Sequence, residues 1–178
     1  MLHGEKVTLR ALEKTDMQRL HEFANDYEQH LLADDEEFVP RSKEQVEKMF
    51  EDLGKDPEEV GPFGIEADGK LIGTCGLHHF DKHSRVCSFG INISDRSYLG
   101  KGYGRDAVRV LLEYAFVHRN LHKVWLTVYA DNERAIRSYK ALGFVEEGLQ
   151  KEQVWNQGRY KDWLYMGLLR SDWQSSQR

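Results

Sequence analysis

The hexapeptide Leu99-Gly100-Lys101-Gly102-Tyr103-Gly104 separates two hydrophobic periods, and this limits the chain around it to a strand that turns tightly into a helix. Before it, residues 63–67, 70–78 and 85–93 read as three strands, the first two joined by an Asp68-Gly69 turn, which makes an antiparallel meander. After it, Val108, Leu111, Leu112, Ala115 and Phe116 recur at helical spacing. Residues 124–129 then form an apolar run rich in β-branched and aromatic side chains, expected as a central strand covered on both faces. A chain that changes period in this way builds a mixed α/β structure.

The flanking segments fit the same architecture. Residues 7–12 alternate as a strand, and Thr15-Asp16 caps a helix carrying Met17, Leu20, Phe23 and Ala24 on one face. Ser42 with Gln45 predicts a capping box for a second helix with Val46, Met49, Phe50 and Leu53 inward and Gly54 closing it. Between these helices the acidic run Asp34-Asp35-Glu36-Glu37 reads as exposed loop. Asp131-Asn132 caps a helix bearing Ala135, Ile136, Tyr139 and Leu142, and Gly143 ends it in the left-handed position. Residues 144–154 and 160–169 make a closing hairpin around Asn156-Gln157-Gly158, and the tail from Ser171 is expected to fray at its end. No repeat, linker or low-complexity tract interrupts residues 1–178, so one domain is expected, with a core over residues 5–170.

The 178 residues carry a formal charge of −5, which speaks against nucleic acid as a partner because phosphate neutralisation needs a concentrated basic surface. The 2 cysteines, Cys75 and Cys87, are too few for a disulfide framework and read as reduced, buried thiols. The N-terminus lacks a secretory core, and the longest apolar stretch, residues 107–117, is broken by Arg109 and Glu113; no membrane association and a cytoplasmic location are expected. His78, His79 and His83 offer no evident fourth ligand, so no metal site is expected.

The glycine-rich turn is where chemistry enters. A helix start presents backbone N–H groups without intrahelical partners, and the helix dipole adds positive potential, so the site attracts anions. Glycine at alternate positions lets the backbone approach a phosphate without Cβ obstruction, and Lys101 and Arg105 reinforce the sign. The dinucleotide fingerprint is excluded because Arg105 stands where it needs glycine, with Trp125 in the region of its acidic residue. The nucleotide-triphosphate loop is excluded because Gly104 is followed by Arg105-Asp106 rather than Lys and Ser or Thr.

Taken with Val128-Tyr129-Ala130-Asp131-Asn132-Glu133-Arg134-Ala135-Ile136-Arg137-Ser138-Tyr139-Lys140-Ala141-Leu142-Gly143-Phe144, the loop resembles the GNAT superfamily of acyl-CoA-dependent N-acetyltransferases. The ending, residues 144–148 through 163–166, is similar to the branch of ribosomal-protein N-terminal and spermidine acetyltransferases. The resemblance implies a single α/β (α+β) domain, a mixed and mostly antiparallel twisted sheet of about seven strands flanked by about four helices. It implies acetyl-CoA as acetyl donor and transfer to a primary amine, either a small molecule or a peptide α-amine, by direct attack in a ternary complex. Ile91 and Ile93 would offer backbone groups to the pantetheine arm. Leu99, Gly100, Lys101, Gly102, Tyr103, Gly104 and Arg105 would hold the pyrophosphate, and Asn132 the arm. Leu99 stands where the family usually has Gln or Arg. Tyr139 would border the thioester sulfur as general acid. Ser88 occupies the position where many relatives in the branch carry a glutamate base; Ser88 itself, a poor base alone, and His78, His79 and Asp81 as possible substitutes are the candidates. A homodimer is expected on the same ground, with Trp155, Trp163 and Trp173 as exposed aromatics near the end of the chain. The alternative is a non-catalytic acyl-CoA-binding or regulatory domain that keeps the loop and lacks a base.

Overall fold

The computed structural model describes residues 1–33, 37–52 and 60–176. Eight strands form one sheet: β1 (Leu2–His3), β2 (Thr8–Ala11), β3 (Val60–Ala67), β4 (Lys70–Asp81), β5 (Val86–Ile93), β6 (Lys123–Tyr129), β7 (Val145–Asn156) and β8 (Arg159–Leu169). Their order is β1-β2-β3-β4-β5-β6-β8-β7. Every neighbouring pair is antiparallel except β5 and β6, so the sheet changes direction once, in its middle. Six α-helices accompany it: α1 (Met17–Ala24), α2 (Tyr27–Ala33), α3 (Lys43–Asp52), α4 (Tyr103–Glu113), α5 (Glu133–Lys140) and α6 (Arg170–Ser176).

Local rules account for most of these boundaries. The β3–β4 turn places Asp68 and Gly69 at φ of 51° and 70°, and the β7–β8 turn places Gln157 and Gly158 at 54° and 76°. Two successive left-handed residues match the right-handed twist of flanking strands. The Ser42–Gln45 box forms as expected: Ser42 N–H donates to Gln45 Oε1 at 2.7 Å, and Gln45 N–H donates to Ser42 Oγ at 3.2 Å. Asn132 Oδ1 accepts from Ala135 N–H at 3.2 Å and starts α5.

The core lies under α4, whose Ala107, Val108, Val110, Leu111 and Leu112 are buried with Leu9, Ile65, Ile72, Leu77 and Leu126 of the sheet. A π-type turn, Tyr114–His118, carries the helix on and sinks Phe116 completely. Burial of one such side chain contributes about 1.5–3 kcal/mol. Cys75 and Cys87 are both buried and free, and burial pushes each thiol up to about 12, which keeps it neutral.

Some expectations need correction. The two-residue β1 and the seven-residue helices α2 and α6 are too short to register as periodic segments, and they add to the elements expected. Strand β6 is not covered evenly. Val124, Leu126 and Val128 are buried, whereas Lys123, Trp125 and Thr127 between them are only half-buried. That second face is sheltered by a stack of His79 on Trp125 and Trp125 on Tyr165, with ring centroids 6.0 and 5.9 Å apart. Trp173 packs on Phe116 at 5.3 Å and Trp163 is half-buried, so Trp155 is the exposed member of the three tryptophans. Asp34, Asp35 and Glu36 of the acidic run, and Leu53 and Gly54 at the expected end of the second helix, lie outside the described residues.

Candidate active site

The site originates in the one parallel pairing. β5 and β6 pair only at their beginnings, Val86 with Lys123, Cys87 with Val124 and Ser88 with Trp125. Beyond Ser88 they diverge, and the exposed edges, Phe89 to Ile93 on one side and Leu126 to Tyr129 on the other, line a cavity of about 500 Å³. Backbone groups on diverging strands keep donors and acceptors that no sheet neighbour consumes, which suits an extended amide-bearing ligand.

The glycine turn closes one end of this cavity through Leu99, Gly100, Gly102, Gly104 and Arg105. Gly102 stands at the N-cap with φ of 88°, where a side chain would be strained, and no side chain caps the helix. The first helical bond runs from Asp106 N–H to the Gly102 carbonyl at 3.0 Å, so the amides of Tyr103, Gly104 and Arg105 precede it. A Cβ on Gly104 would stand 3.3 Å from Ile93 Cγ1, so its absence lets α4 start close against β5. Charge concentrates here despite the acidic chain, because Arg105, Arg134 and Arg137 all line the cavity.

Asp106 anchors the helix start from behind. Its buried carboxylate accepts from Lys6 N–H at 2.7 Å and Val7 N–H at 3.1 Å, and Arg109 Nη2 pairs with it at 2.9 Å. Burial opposes the charge, but the backbone amides and Arg109 outweigh it and hold the carboxyl below its ordinary value of 3.8. This fixes the loop-to-helix junction against the segment leading into β2.

Helix α5 supplies the opposite wall through Asn132, Arg134, Ala135, Arg137, Ser138 and Tyr139. Asn132 commits its oxygen to the cap, which leaves its amide hydrogens as donors. Tyr139 is gripped by Phe89 and Phe144, with ring centroids 5.7 and 6.0 Å away. Burial pushes its phenol up to about 12, although Arg134 pulls the other way, so the hydroxyl keeps its proton throughout the neutral range.

Ile91, Ile93, Leu99, Gly100, Gly102, Gly104, Arg105, Asn132 and Tyr139 thus lie around one cavity. Four other candidates do not line it. Lys101 is exposed, with its carbonyl accepting from Lys6 Nζ at 3.1 Å. Tyr103 packs edge-on against Tyr98 at 4.9 Å. Ser88 is buried at 6% exposure; its hydroxyl donates to the His78 carbonyl at 3.2 Å and lies 2.8 Å from His79 Nδ1. His78 sits over the strand edge, its Nε2 3.5 Å from where a Cβ on the cavity-lining Gly90 would be. Sequence reasoning missed Gln29, Ser138, Trp163 and the pair Arg134 and Arg137. The arginines had a legible signal, two cations three residues apart on a capped helix and so on one face.

A second cavity of about 340 Å³ adjoins the first, walled by Leu20, Phe23, Ala24, Phe38, Val39 and Met49. The two share Gln29 and Asn92. Among the described residues no cluster of histidine, cysteine and carboxylate side chains could hold a metal ion, and no helix is long and apolar enough to cross a membrane.

A cleft at a splayed parallel pair, closed by a glycine turn on a helix start, is the arrangement that the resemblance to acyl-CoA-dependent transferases implies. Residues 6–145 match the acetyltransferase (GNAT) domain family, and the chain belongs to it. It is similar to a spermidine N(1)-acetyltransferase of Vibrio cholerae, 32% identical over 168 residues that span 94% of this chain and 95% of the relative. An uncharacterized N-acetyltransferase, p20, of Bacillus licheniformis is 28% identical over 177 residues, 97% of each chain. The crystal structure of a Vibrio cholerae spermidine N-acetyltransferase in complex with CoA and spermine superposes with a TM-score of 0.85 at 32% identity, covering 95% of this chain and 98% of that one. The chain is therefore an acetyltransferase that takes its acetyl group from acetyl-CoA and passes it to an amine.

Proposed function

We propose that this chain acetylates a primary amine that occupies the second cavity and reaches the thioester across Gln29 and Asn92, the two residues common to both cavities. That adjacency carries the reading: a donor and an acceptor must meet, and these cavities share Gln29 and Asn92 in their walls. In this reading the pyrophosphate rests on the amides that begin α4, beside Arg105, and the pantetheine arm follows the free edge of β5 past Ile91 and Ile93 with Asn132 opposite. When bound, acetyl-CoA supplies the activated acetyl group.

The chain's own contribution is alignment and proton control. The neutral acceptor nitrogen attacks the acetyl carbonyl, a C–N bond forms, the C–S bond breaks, and the proton lost by nitrogen ends on the thiol. Tyr139 donates a hydrogen bond to the departing sulfur. A phenol near 12 is a weaker acid than an alkyl thiol at about 8.5, so Tyr139 stabilises the thiolate without surrendering its own proton permanently. Ser88 has no step, because its hydroxyl is engaged by the His78 carbonyl and His79. His78, over Gly90, is the base that takes the ammonium proton through water before attack, leaving the neutral amine whose second proton ends on the thiol.

Thiol release from acetyl-CoA over a panel of spermidine, simple alkyl amines and peptides with free α-amines tests the proposal. Turnover that depends on an amine is the expected result. Cofactor binding with no transfer to any amine would overturn it in favour of a binding domain.

A further inference from the structure

Asn92 presents an amide donor at the place where the two cavities meet. Gln29, 4% exposed on α2, donates from Nε2 to the Ile93 carbonyl at 2.9 Å and to Asn92 Oδ1 at 2.8 Å. A backbone carbonyl can only accept, so the Gln29 nitrogen must face it, and the atom that Asn92 turns to that nitrogen must be its oxygen. The Asn92 Nδ2 hydrogens are thereby turned away from Gln29, and among the described residues they have no hydrogen-bond partner. Asn92 is half-buried and stands in the walls of both cavities. The same arrangement leaves Gln29 Oε1 buried without a partner, so the chain gives up stability to hold this donor in place.

Of the groups that meet at this point during transfer, one can use the donor. An ammonium has no lone pair, and a neutral amine needs its single pair for the attack. The thioester sulfur is a weak acceptor and has the Tyr139 hydroxyl to itself. The acetyl carbonyl oxygen has two lone pairs and gains negative charge as the nitrogen adds. We infer that Asn92 is a further catalytic residue, whose Nδ2 donates to the acetyl carbonyl oxygen as charge develops there, and that Gln29 is the positioning residue that fixes its amide. As the C–N bond forms, the carbonyl π pair moves onto the oxygen beside Nδ2. It returns as the C–S bond breaks, and the charge passes to the sulfur, which takes the proton from nitrogen. This rests on transfer taking place where the cavities meet, as proposed above.

Two variants and two readouts test the inference. Asn92→Ala removes the donor and should lower kcat about 10²-fold, while the dissociation constant of acetyl-CoA stays within about twofold. Asn92→Asp keeps an oxygen for Gln29 Nε2 but lacks the donor, so it should lose at least as much. A residue that served only to hold Gln29 would be rescued by Asp; recovery of the rate in Asn92→Asp would overturn the inference, as would wild-type kcat in Asn92→Ala. The second readout needs no acceptor: isotope-edited infrared spectroscopy of bound acetyl-CoA labelled at the acetyl carbonyl. The carbonyl stretch should lie lower in the wild type than in either variant, and an unchanged stretch in both would contradict the assigned hydrogen bond. If Asn92→Ala folds poorly, Asn92→Asp, which preserves the bond to Gln29, carries both readouts. Failure of every amine with the wild type would overturn the acetyl-transfer reading, and the infrared comparison would still decide the role of Asn92, so the two failures are distinguishable.

Discussion

Tyr139 shows how one side chain is prepared for a role by its neighbours. Phe89 and Phe144 fix its ring, and burial keeps its hydroxyl protonated with a value pushed up to about 12. Removing the oxygen alone, Tyr139→Phe, should lower kcat about 10²-fold while the dissociation constant of acetyl-CoA stays within about twofold, since in the proposed mechanism the phenol acts on the departing sulfur rather than on the cofactor's phosphates. In the same experiment His78→Ala should lower kcat/KM about 10²-fold. Steady-state rates from pH 6 to 9, with cofactor affinity by calorimetry, read both; wild-type turnover in Tyr139→Phe would remove the phenol from the reaction. Tyr139 was legible from its place in the motif, but Gln29 was not, because a lone glutamine on a short helix carries no pattern until the fold sets Asn92 and Ile93 beside it.

The junction of loop and α4 depends on Asp106 as much as on its glycines. This carboxyl is held below 3.8 in the folded protein, so it binds fewer protons there than in the unfolded chain. The stabilisation is fully present above the unfolded value and is lost as pH falls through the folded one. Asp106→Asn should therefore cost about 2 kcal/mol at pH 7 and progressively less below pH 4, measured by urea unfolding at both ends of that range; a cost independent of pH would contradict the assignment. The elements themselves were largely readable, because capping chemistry at Ser42 and Asn132 and left-handed turn residues at Gly69 and Gly158 act locally. The helix α2 and the uneven burial of β6 were not, because tertiary neighbours decide them: Trp125 is half-covered because the His79 and Tyr165 rings stack on it.

The whole molecule is a sheet parted in its middle, with one cavity on the parting and a second beside it. The glycine turn and the Asn132–Tyr139 helix announced the cleft in sequence, since both need particular residues at particular backbone positions. The second cavity gave no such signal, because its wall is drawn from α1, α3 and segments far apart in the chain. The central claim is that the amides opening α4 receive the diphosphate of acetyl-CoA within the β5–β6 parting. A crystal structure of the CoA complex tests it most directly. The account predicts density for the diphosphate on the Gly102–Arg105 backbone, with the sulfur beside Tyr139. A diphosphate bound elsewhere, with the β5–β6 parting empty, would contradict it.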